Sequence, residues 1–471
     1  MTTVLVTGAN GFIGSHLVRA LLDRGYQVRG LVRHTSDLSS LRGLPVQLTV
    51  GDVTDPDSLR AAVRGVDFVY HLGATLLPTD PGRFFAVNTQ GTVNVLQATA
   101  ELAPDLKRFL YVSSQAAAGP APGPTPLDEA DPARPISAYG DSKREAEERV
   151  LAYGDRFPVT IVRPSSVYGA RERDISRTFP AVEQGLLPVL GEEEKLLVMV
   201  YVKDLVEGMV AAAESPASLG KIYFLNHPEQ LAGRDVPEAI AAAMGKEGGR
   251  EVRVPLNFVR LIAPLAEWQA RFSRQRPAVT RDKARELAQP YWLADPGRAQ
   301  RDFGWVAKHS LAEGMAITVA AYQAEQDAVR EMALERPGIL WGKYTLSGSA
   351  VGVLIEILSA VGGFYSFQPA WAVLVAIFGG FGAALGTVAM LLRRQSAAVQ
   401  FVVGSAVMGG AEYLNEKGKM PVIGWTFKPG WPLGIKKPML RVFVLAGAGG
   451  VVVLLVNAMM RALYRRRLRL G

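Results

Sequence analysis

The start of this chain constrains it most. An apolar run, Val4-Leu5-Val6, leads into Thr7-Gly8-Ala9-Asn10-Gly11-Phe12-Ile13-Gly14, and a helical repeat follows with Leu17, Val18, Leu21 and Leu22 on one face. Glycines at this spacing let backbone approach a pyrophosphate closely. The helix N-terminus behind them offers free N–H groups and a partial positive charge. The strand–loop–helix context at the head of a βαβ series marks a dinucleotide cradle rather than a glycine-rich turn with no ligand. Gly8, Asn10, Gly11, Phe12, Ile13 and Gly14 are its expected cofactor contacts. No secretory signal is expected, because Thr2-Thr3 leads directly into the strand.

Strand-like and helix-like periods then alternate. Val4–Thr7, Val28–Val32, Val46–Val50, Phe68–Leu72, Phe109–Val112 and Thr160–Val162 read as strands, with helices at Gly14–Arg24, Val87–Ala103 and Ser142–Tyr153. Short apolar strands separated by helices predict an α/β fold, a Rossmann-like doubly wound parallel sheet covered on both faces. This core is expected over residues 1–170. Beyond Gly169 the pattern becomes irregular, as a small substrate lobe over 171–336 would show, with helices at Val206–Ala213, Val236–Met244, Asn257–Phe272 and Ser310–Glu335. In the third of these, Phe258, Leu261, Ile262, Leu265 and Trp268 are expected to face the core in preference to a membrane surface. The Pro/Gly-rich run Ala116–Pro135 is either a loop beside the site or a plain surface loop. Arg336-Pro337-Gly338 closes this part.

The last third differs. From Leu340 onward there are 14 Lys+Arg against 3 Asp+Glu, while the residues before it hold 38 against 41, so the net charge of +8 belongs to the apolar end. That placement fits membrane flanks and argues against nucleic acid as a partner. Trp371–Leu392 and Val442–Met460 carry no charge, Leu346–Tyr365 carries only Glu356, and Ala397–Leu414 holds Glu412. A bilayer needs ~20 predominantly apolar residues to span it. Residues 337–471 are therefore expected to form an all-α transmembrane domain of three to four helices, at about 346–365, 371–392, 442–460 and, as the fourth, 397–414. The protein would be multi-pass, with its catalytic part on the cytoplasmic side.

An NAD-selective site wants an acidic residue at the end of the second strand to hold the ribose 2′-OH. Here Val32-Arg33 stands there, with Arg29 and His34 nearby. A guanidinium suits a 2′-phosphate, so NADP(H) is favoured over NAD(H). Asp52 and Val53 end the third strand and Leu72, Gly73 and Ala74 the fourth, where ligands of open α/β sheets bind. His71 reads as a packed strand residue. Five scattered His and no Cys suggest no metal site, disulfide or thiol nucleophile.

Tyr139-Gly140-Asp141-Ser142-Lys143 places a Tyr and a Lys four residues apart where a helix begins, on one face. An ammonium nearby favours the phenolate and would lower a Tyr pKa from ~10 toward a useful range. Tyr111-Val112-Ser113-Ser114 supplies a hydroxyl at the end of the preceding strand.

With these motifs in order, joined by Arg163-Pro164-Ser165-Ser166-Val167-Tyr168-Gly169, the chain up to about Arg336 resembles the extended short-chain dehydrogenase/reductases, the NAD-dependent epimerase/dehydratase family. Asn88-Thr89-Gln90-Gly91-Thr92, Tyr201-Val202-Lys203-Asp204-Leu205 and Asp302-Phe303-Gly304-Trp305 are similar to further motifs of that family. The resemblance implies that Tyr139 is the acid/base, that Lys143 holds the nicotinamide ribose, and that Ser114 rather than Ser113 bonds the reacting oxygen. It adds Asn88 and Pro164 to the cofactor site, with Tyr139 and Lys143. The absent acidic residue after the second strand speaks against a sugar epimerase. Gln115, where the dehydratases tend to carry an acidic pair, speaks against dehydration. Leu31–Ser36 looks like the dihydroflavonol-reductase-like, 3β-hydroxysteroid-dehydrogenase-like and hopanoid-associated branches.

The resulting expectation is a membrane-anchored NAD(P)-dependent oxidoreductase acting on a ketone or alcohol of a lipid-like or lipid-linked molecule. The alternatives are an epimerase of a nucleotide sugar or polyprenyl-linked sugar, and a nucleotide-sensing membrane scaffold. Expected partners are a lipophilic small molecule, membrane lipids and, as an open possibility, a second copy forming a homodimer.

Overall fold

The computed structural model describes residues 2–334 apart from 77, 79, 192, 247, 274–276 and 278. Residues 1–324 form one compact unit. Its centre is a sheet of seven strands: β1 (Thr3–Thr7), β2 (Gln27–Val32), β3 (Gln47–Val50), β4 (Phe68–His71), β5 (Arg108–Val112), β6 (Val159–Pro164) and β7 (Ile222–Leu225). They lie in the order β3-β2-β1-β4-β5-β6-β7. Every neighbouring pair is parallel, with Thr7 opposite His71 and Val112 opposite Val162.

The core helices are α1 (Phe12–Asp23), α2 (Pro56–Val63), α3 (Gly91–Leu102), α4 (Ala138–Leu151) and α5 (Val202–Glu214). Side chains alternate across a strand, so each strand feeds two cores. Val4, Val6, Tyr70, Leu110, Val112 and Val162 pack with Leu17 and Leu21 of α1 and Leu205 and Met209 of α5. Leu5, Val69, Phe109, Tyr111 and Ile161 pack with Leu59 of α2, Val95 and Leu96 of α3, and Ala146 and Val150 of α4. Both faces are apolar because both are covered, which is why these strands show little polar alternation.

The chain returns to this sheet after residue 170, since α5 covers it and β7 extends it. The expected division at 170 therefore leaves out two core elements. α2 and β7 were not among the expected elements, although Asp55-Pro56 ahead of Leu59, Ala62 and Val63 is a helix-start pattern. A small lobe holds short strand pairs such as Leu186–Leu190 with Arg250–Val254, and the helices α6 (Leu256–Ser273), α7 (Arg281–Leu287) and α8 (Leu311–Leu334). On α6 the buried residues include Val259, Ala263, Glu267 and Ala270, and Ile262 packs against this cluster as expected, while Phe258 and Leu261 are exposed, against the expectation for these two. Among the described residues no helix is long and apolar enough to cross a membrane. The stretches expected to span, 346–365, 371–392, 397–414 and 442–460, lie outside the described residues.

Candidate active site

Gly8 has φ 69°, a left-handed conformation in which a side chain would be strained. A Cβ on Gly14 would lie 2.1 Å from the Gly8 carbonyl oxygen, so the first turn of α1 can press against the loop only as glycine. Gly11 closes the turn, donating its N–H to Gly8 O at 2.9 Å. It is also the N-cap of α1, and neither a side-chain cap nor an acidic residue occupies that first turn. The free N–H groups of a helix start are thus left for an outside acceptor. Phe12 packs edge-on against His16, and Ile13 packs against the lobe's core. Asn10 is engaged elsewhere: its amide donates to Asp37 O at 3.2 Å, and its carbonyl accepts from Ser40 Oγ.

Arg33 is exposed just past β2, its backbone N–H bonded to Ser36 Oγ. Arg29 is not available beside it, because its guanidinium donates to the carbonyls of Ala61, Ala62 and Arg64 at the end of α2. One oxygen of Asp52 accepts from the Thr54 N–H and hydroxyl. Val53 wedges against two glycines, and a Cβ on Gly91 would come within 2.8 Å of it and one on Gly73 within 3.3 Å. Leu72 and Gly73 are held by their N–H groups on Thr7 Oγ1 at 3.1 and 2.9 Å, and Ala74 follows exposed.

A buried chain of hydrogen bonds ties these strand ends together. Thr7 Oγ1 lies 2.7 Å from His71 Nδ1, His71 Nε2 lies 2.9 Å from Thr92 Oγ1, and Thr92 donates to Asn88 O at 2.6 Å. Burial pushes His71 down to about 3, so the ring is neutral. Thr92's hydrogen is used on Asn88, so His71 Nε2 carries the ring proton and Nδ1 accepts from Thr7, a tautomer assigned from the network. Asn88 sits in a π-helical stretch, Phe85–Gln90, that precedes α3 and was expected as ordinary helix. Such stretches redirect side chains at functional sites. Asn88 Nδ2 donates to Ser142 Oγ at 3.0 Å, and Ser142 donates to Tyr139 O at 2.8 Å. The nucleotide loop and the catalytic helix are therefore in one network.

Ser114 follows β5 and caps the short turn Gln115–Ala118. Its side chain lies near the Tyr139 hydroxyl, where it favours the phenolate, while Ser113 Oγ is buried with no partner. The run 116–135 leaves from this point and returns at Ser137, so it is the loop beside the site. On its way Glu129 accepts from Phe224 N–H at the sheet's edge strand. Tyr139 lies in the first turn of α4, which begins four residues before the expected Ser142. Its ring is tilted against Phe84 at 5.8 Å.

Lys143 is buried, donating to Val112 O at 2.7 Å, with Nζ 4.2 Å from the centre of the Tyr111 ring. Desolvation draws it down to about 7, countered by the Glu147 carboxylate. Tyr139, by contrast, is raised above the ordinary tyrosine value by burial and then by Glu286, with Ser114 opposing. The expected lowering by Lys143 is not what the structure shows: the ammonium is directed at Val112 O, and its own burial weakens its charge. Pro164 is buried at the end of β6. Beside it, Arg163 forms a two-pronged pair with Glu147 of α4 at 2.8 and 2.7 Å, with side chains 3% and 0% exposed. This pair fixes α4 to β6, and no motif or spacing marks it.

A sequence model of the NAD dependent epimerase/dehydratase family matches residues 4–225. The chain is 30% identical over 326 residues to the 2-alkyl-3-oxoalkanoate reductase of Stenotrophomonas maltophilia, across 66% of this chain and 97% of that protein. It is 30% identical over 352 residues to a 3 beta-hydroxysteroid dehydrogenase/Delta 5-->4-isomerase of Mycobacterium tuberculosis, across 69% and 93%. The crystal structure of Thermus thermophilus UDP-glucose 4-epimerase in complex with NAD superposes with a TM-score of 0.56 at 26% identity, across 68% of this chain and 99% of that one.

Proposed function

Since the chain belongs to the NAD dependent epimerase/dehydratase family and is an NAD(P)-dependent enzyme of its oxidoreductase/epimerase type, we propose that it is a membrane-anchored ketone reductase or alcohol dehydrogenase for a lipid-like substrate. The observation that carries the reading is the convergence at the carboxyl edge of the sheet of Ser114, which caps the turn after β5, with Tyr139 and, one helical turn on, Lys143, whose ammonium is fixed on Val112 O. The cradle fits a dinucleotide. Gly8, Gly11 and Gly14 give close approach, the open start of α1 receives a pyrophosphate, and Asp52, Val53, Leu72, Gly73 and Ala74 lie along its path. Asn88 supports that wall through Thr75, and Pro164 lies beside the catalytic helix. Arg33, exposed where a carboxylate would select NAD, favours NADP(H).

When bound, the nicotinamide supplies or accepts the hydride. Tyr139 gives its phenolic proton to the substrate oxygen in reduction and withdraws it in oxidation. Ser114 donates a hydrogen bond to the same oxygen and polarises the carbonyl. Lys143 holds the ribose side and offers positive charge as the phenolate forms.

A lipid-like substrate is supported by the relatives' names, which refer to alkyl oxoalkanoates and steroids. The charge-free stretches Trp371–Leu392 and Val442–Met460 and their basic flanks support anchoring, with the catalytic part cytoplasmic. The test is NADPH oxidation by the detergent-purified chain with branched 3-oxo acids and 3-oxosteroids. Turnover that vanishes in Tyr139→Phe is expected. Tightly retained NAD⁺ with interconversion of UDP-sugars, and no ketone turnover, would replace the reading by an epimerase.

A further inference from the structure

We propose that α7, an element of the substrate lobe, is the positioning device for the acid/base: Asp282 fixes the backbone of Tyr139, and Glu286, held on Ser137, places a carboxylate behind it. The proposal rests on the catalytic reading of Tyr139 given above. A helix start leaves four N–H groups without intrahelical partners. In α4 three of them are taken, and Asp141 begins the helix's own ladder. Ala138 N–H donates to Asp282 Oδ1 at 2.8 Å and Tyr139 N–H to Asp282 Oδ2 at 3.2 Å. Gly140 N–H donates to Ser137 Oγ at 3.0 Å, and Asp141 N–H to Ser137 O at 2.9 Å.

Ser137 Oγ, accepting from Gly140, spends its own hydrogen on Glu286 Oε1 at 2.6 Å. The other Glu286 oxygen takes Lys283 Nζ at 2.8 Å. Asp282 and Glu286 are one turn apart on α7, so both carboxylates face the start of α4. Glu286 and Ser137 are buried, and α7 is itself fixed. Thr280 caps it, and Glu267 of α6 accepts from Arg281 N–H and Nε at 2.7 and 2.9 Å. A carboxylate at a helix start is favourable for the helix, but it also opposes a phenolate on the same turn.

The charged and titratable groups around Tyr139 are few. Lys143, Asp141 and the buried Glu147 share its helix, Asp282, Lys283 and Glu286 come from α7, Tyr111, kept protonated by burial, comes from β5, and the neutral His71 lies in β4. Ser114 faces it from the end of β5 and Phe84 from the segment before α3, both without charge. Glu286 is the charge that raises Tyr139 beyond what burial does.

Three variants of the full chain in detergent test this. Asp282→Asn removes one of two acceptor oxygens and turns an amide toward the helix start. Deuterium exchange at Ala138 and Tyr139 should then rise at least ~10-fold while the rest of α4 is unchanged, a readout that needs no substrate. Glu286→Gln removes the charge, and Lys283→Met leaves it unneutralised. With a 3β-hydroxysteroid and NADP⁺ as probe, kcat for alcohol oxidation below the pH limb should rise several-fold in the first and fall several-fold in the second. The KM for NADP⁺ should hold in both.

Opposite signs from neighbouring substitutions cannot come from loosened packing. Unchanged exchange in Asp282→Asn overturns the positioning of the backbone. If Glu286→Gln does not fold, Lys283→Met alone decides the charge effect, and an unmoved kcat there overturns it. Activity surviving in Tyr139→Phe would instead count against the catalytic reading. An inactive Tyr139→Phe with unmoved α7 variants counts against this proposal alone.

Discussion

Two helices start at the carboxyl edge of the same sheet, and their first turns are treated in opposite ways. α1 begins at Gly11 with no side-chain cap and no acidic residue in the first turn. α4 begins at Ser137 with the N–H groups of Ala138, Tyr139 and Gly140 all satisfied, two of them by a carboxylate from another part of the unit. An open start keeps its donors for an anionic ligand. A closed one has none to offer and gains a fixed geometry for the side chain it carries. The function proposed above gives binding to the first and chemistry to the second, and the Thr7–His71–Thr92–Asn88–Ser142 chain joins the two.

The contrast can be broken at either start. The largest effect is expected from Gly14→Ala, whose Cβ would sit 2.1 Å from Gly8 O. NADPH affinity measured by titration should fall more than ~100-fold, since the loop must move away from the pyrophosphate path. Wild-type affinity in that variant would mean that the open start is not the cradle.

At the closed start, Arg163→Met strands the buried Glu147 carboxylate and should cost about 3–5 kcal/mol in denaturant unfolding. Adding Glu147→Leu should recover most of that loss. No recovery would show that the pair does more than pin α4. Arg33→Ser sharpens the open start, lowering the preference for NADPH over NADH roughly 10-fold. An unchanged ratio removes Arg33 from selectivity.

A further effect is in acid. His16 is pushed down to about 4 and His71 to about 3, mainly by burial. The unfolded chain takes up these protons first, so stability should hold above pH ~6.5 and fall as the pH drops from there toward 4 and 3. His16→Gln should flatten the upper part of that fall in a pH series of melts.

How far the sequence carried depends on what each residue needs. Gly8, Gly11 and Gly14 were legible because a backbone demand shows as a residue type. Tyr139 and Lys143 were legible because one turn of helix shows as a spacing. Asp282 was not, since it meets Tyr139 across 143 positions and looks like any carboxylate on a polar helix. Arg163 stands inside a recognised motif, but its partner Glu147 is one of several Glu in a helix rich in Glu and Arg, and nothing in that pattern marks it as the buried one. The direction of the Tyr139 shift was misjudged for the same reason. Spacing shows Lys143 nearby, whereas burial and Glu286 act from elements that spacing along α4 does not see. Arg29, close to Arg33 in sequence, turned out to cap α2.

The central claim is that the open start binds and the closed start reacts, and one measurement separates them. Single-turnover oxidation of bound NADPH by a 3-oxosteroid or branched 3-oxo acid is followed in wild type and Tyr139→Phe, with the NADPH Kd measured on both. The account predicts an unchanged Kd and a rate at least ~1,000-fold lower in Tyr139→Phe. Equal rates at equal Kd would contradict it.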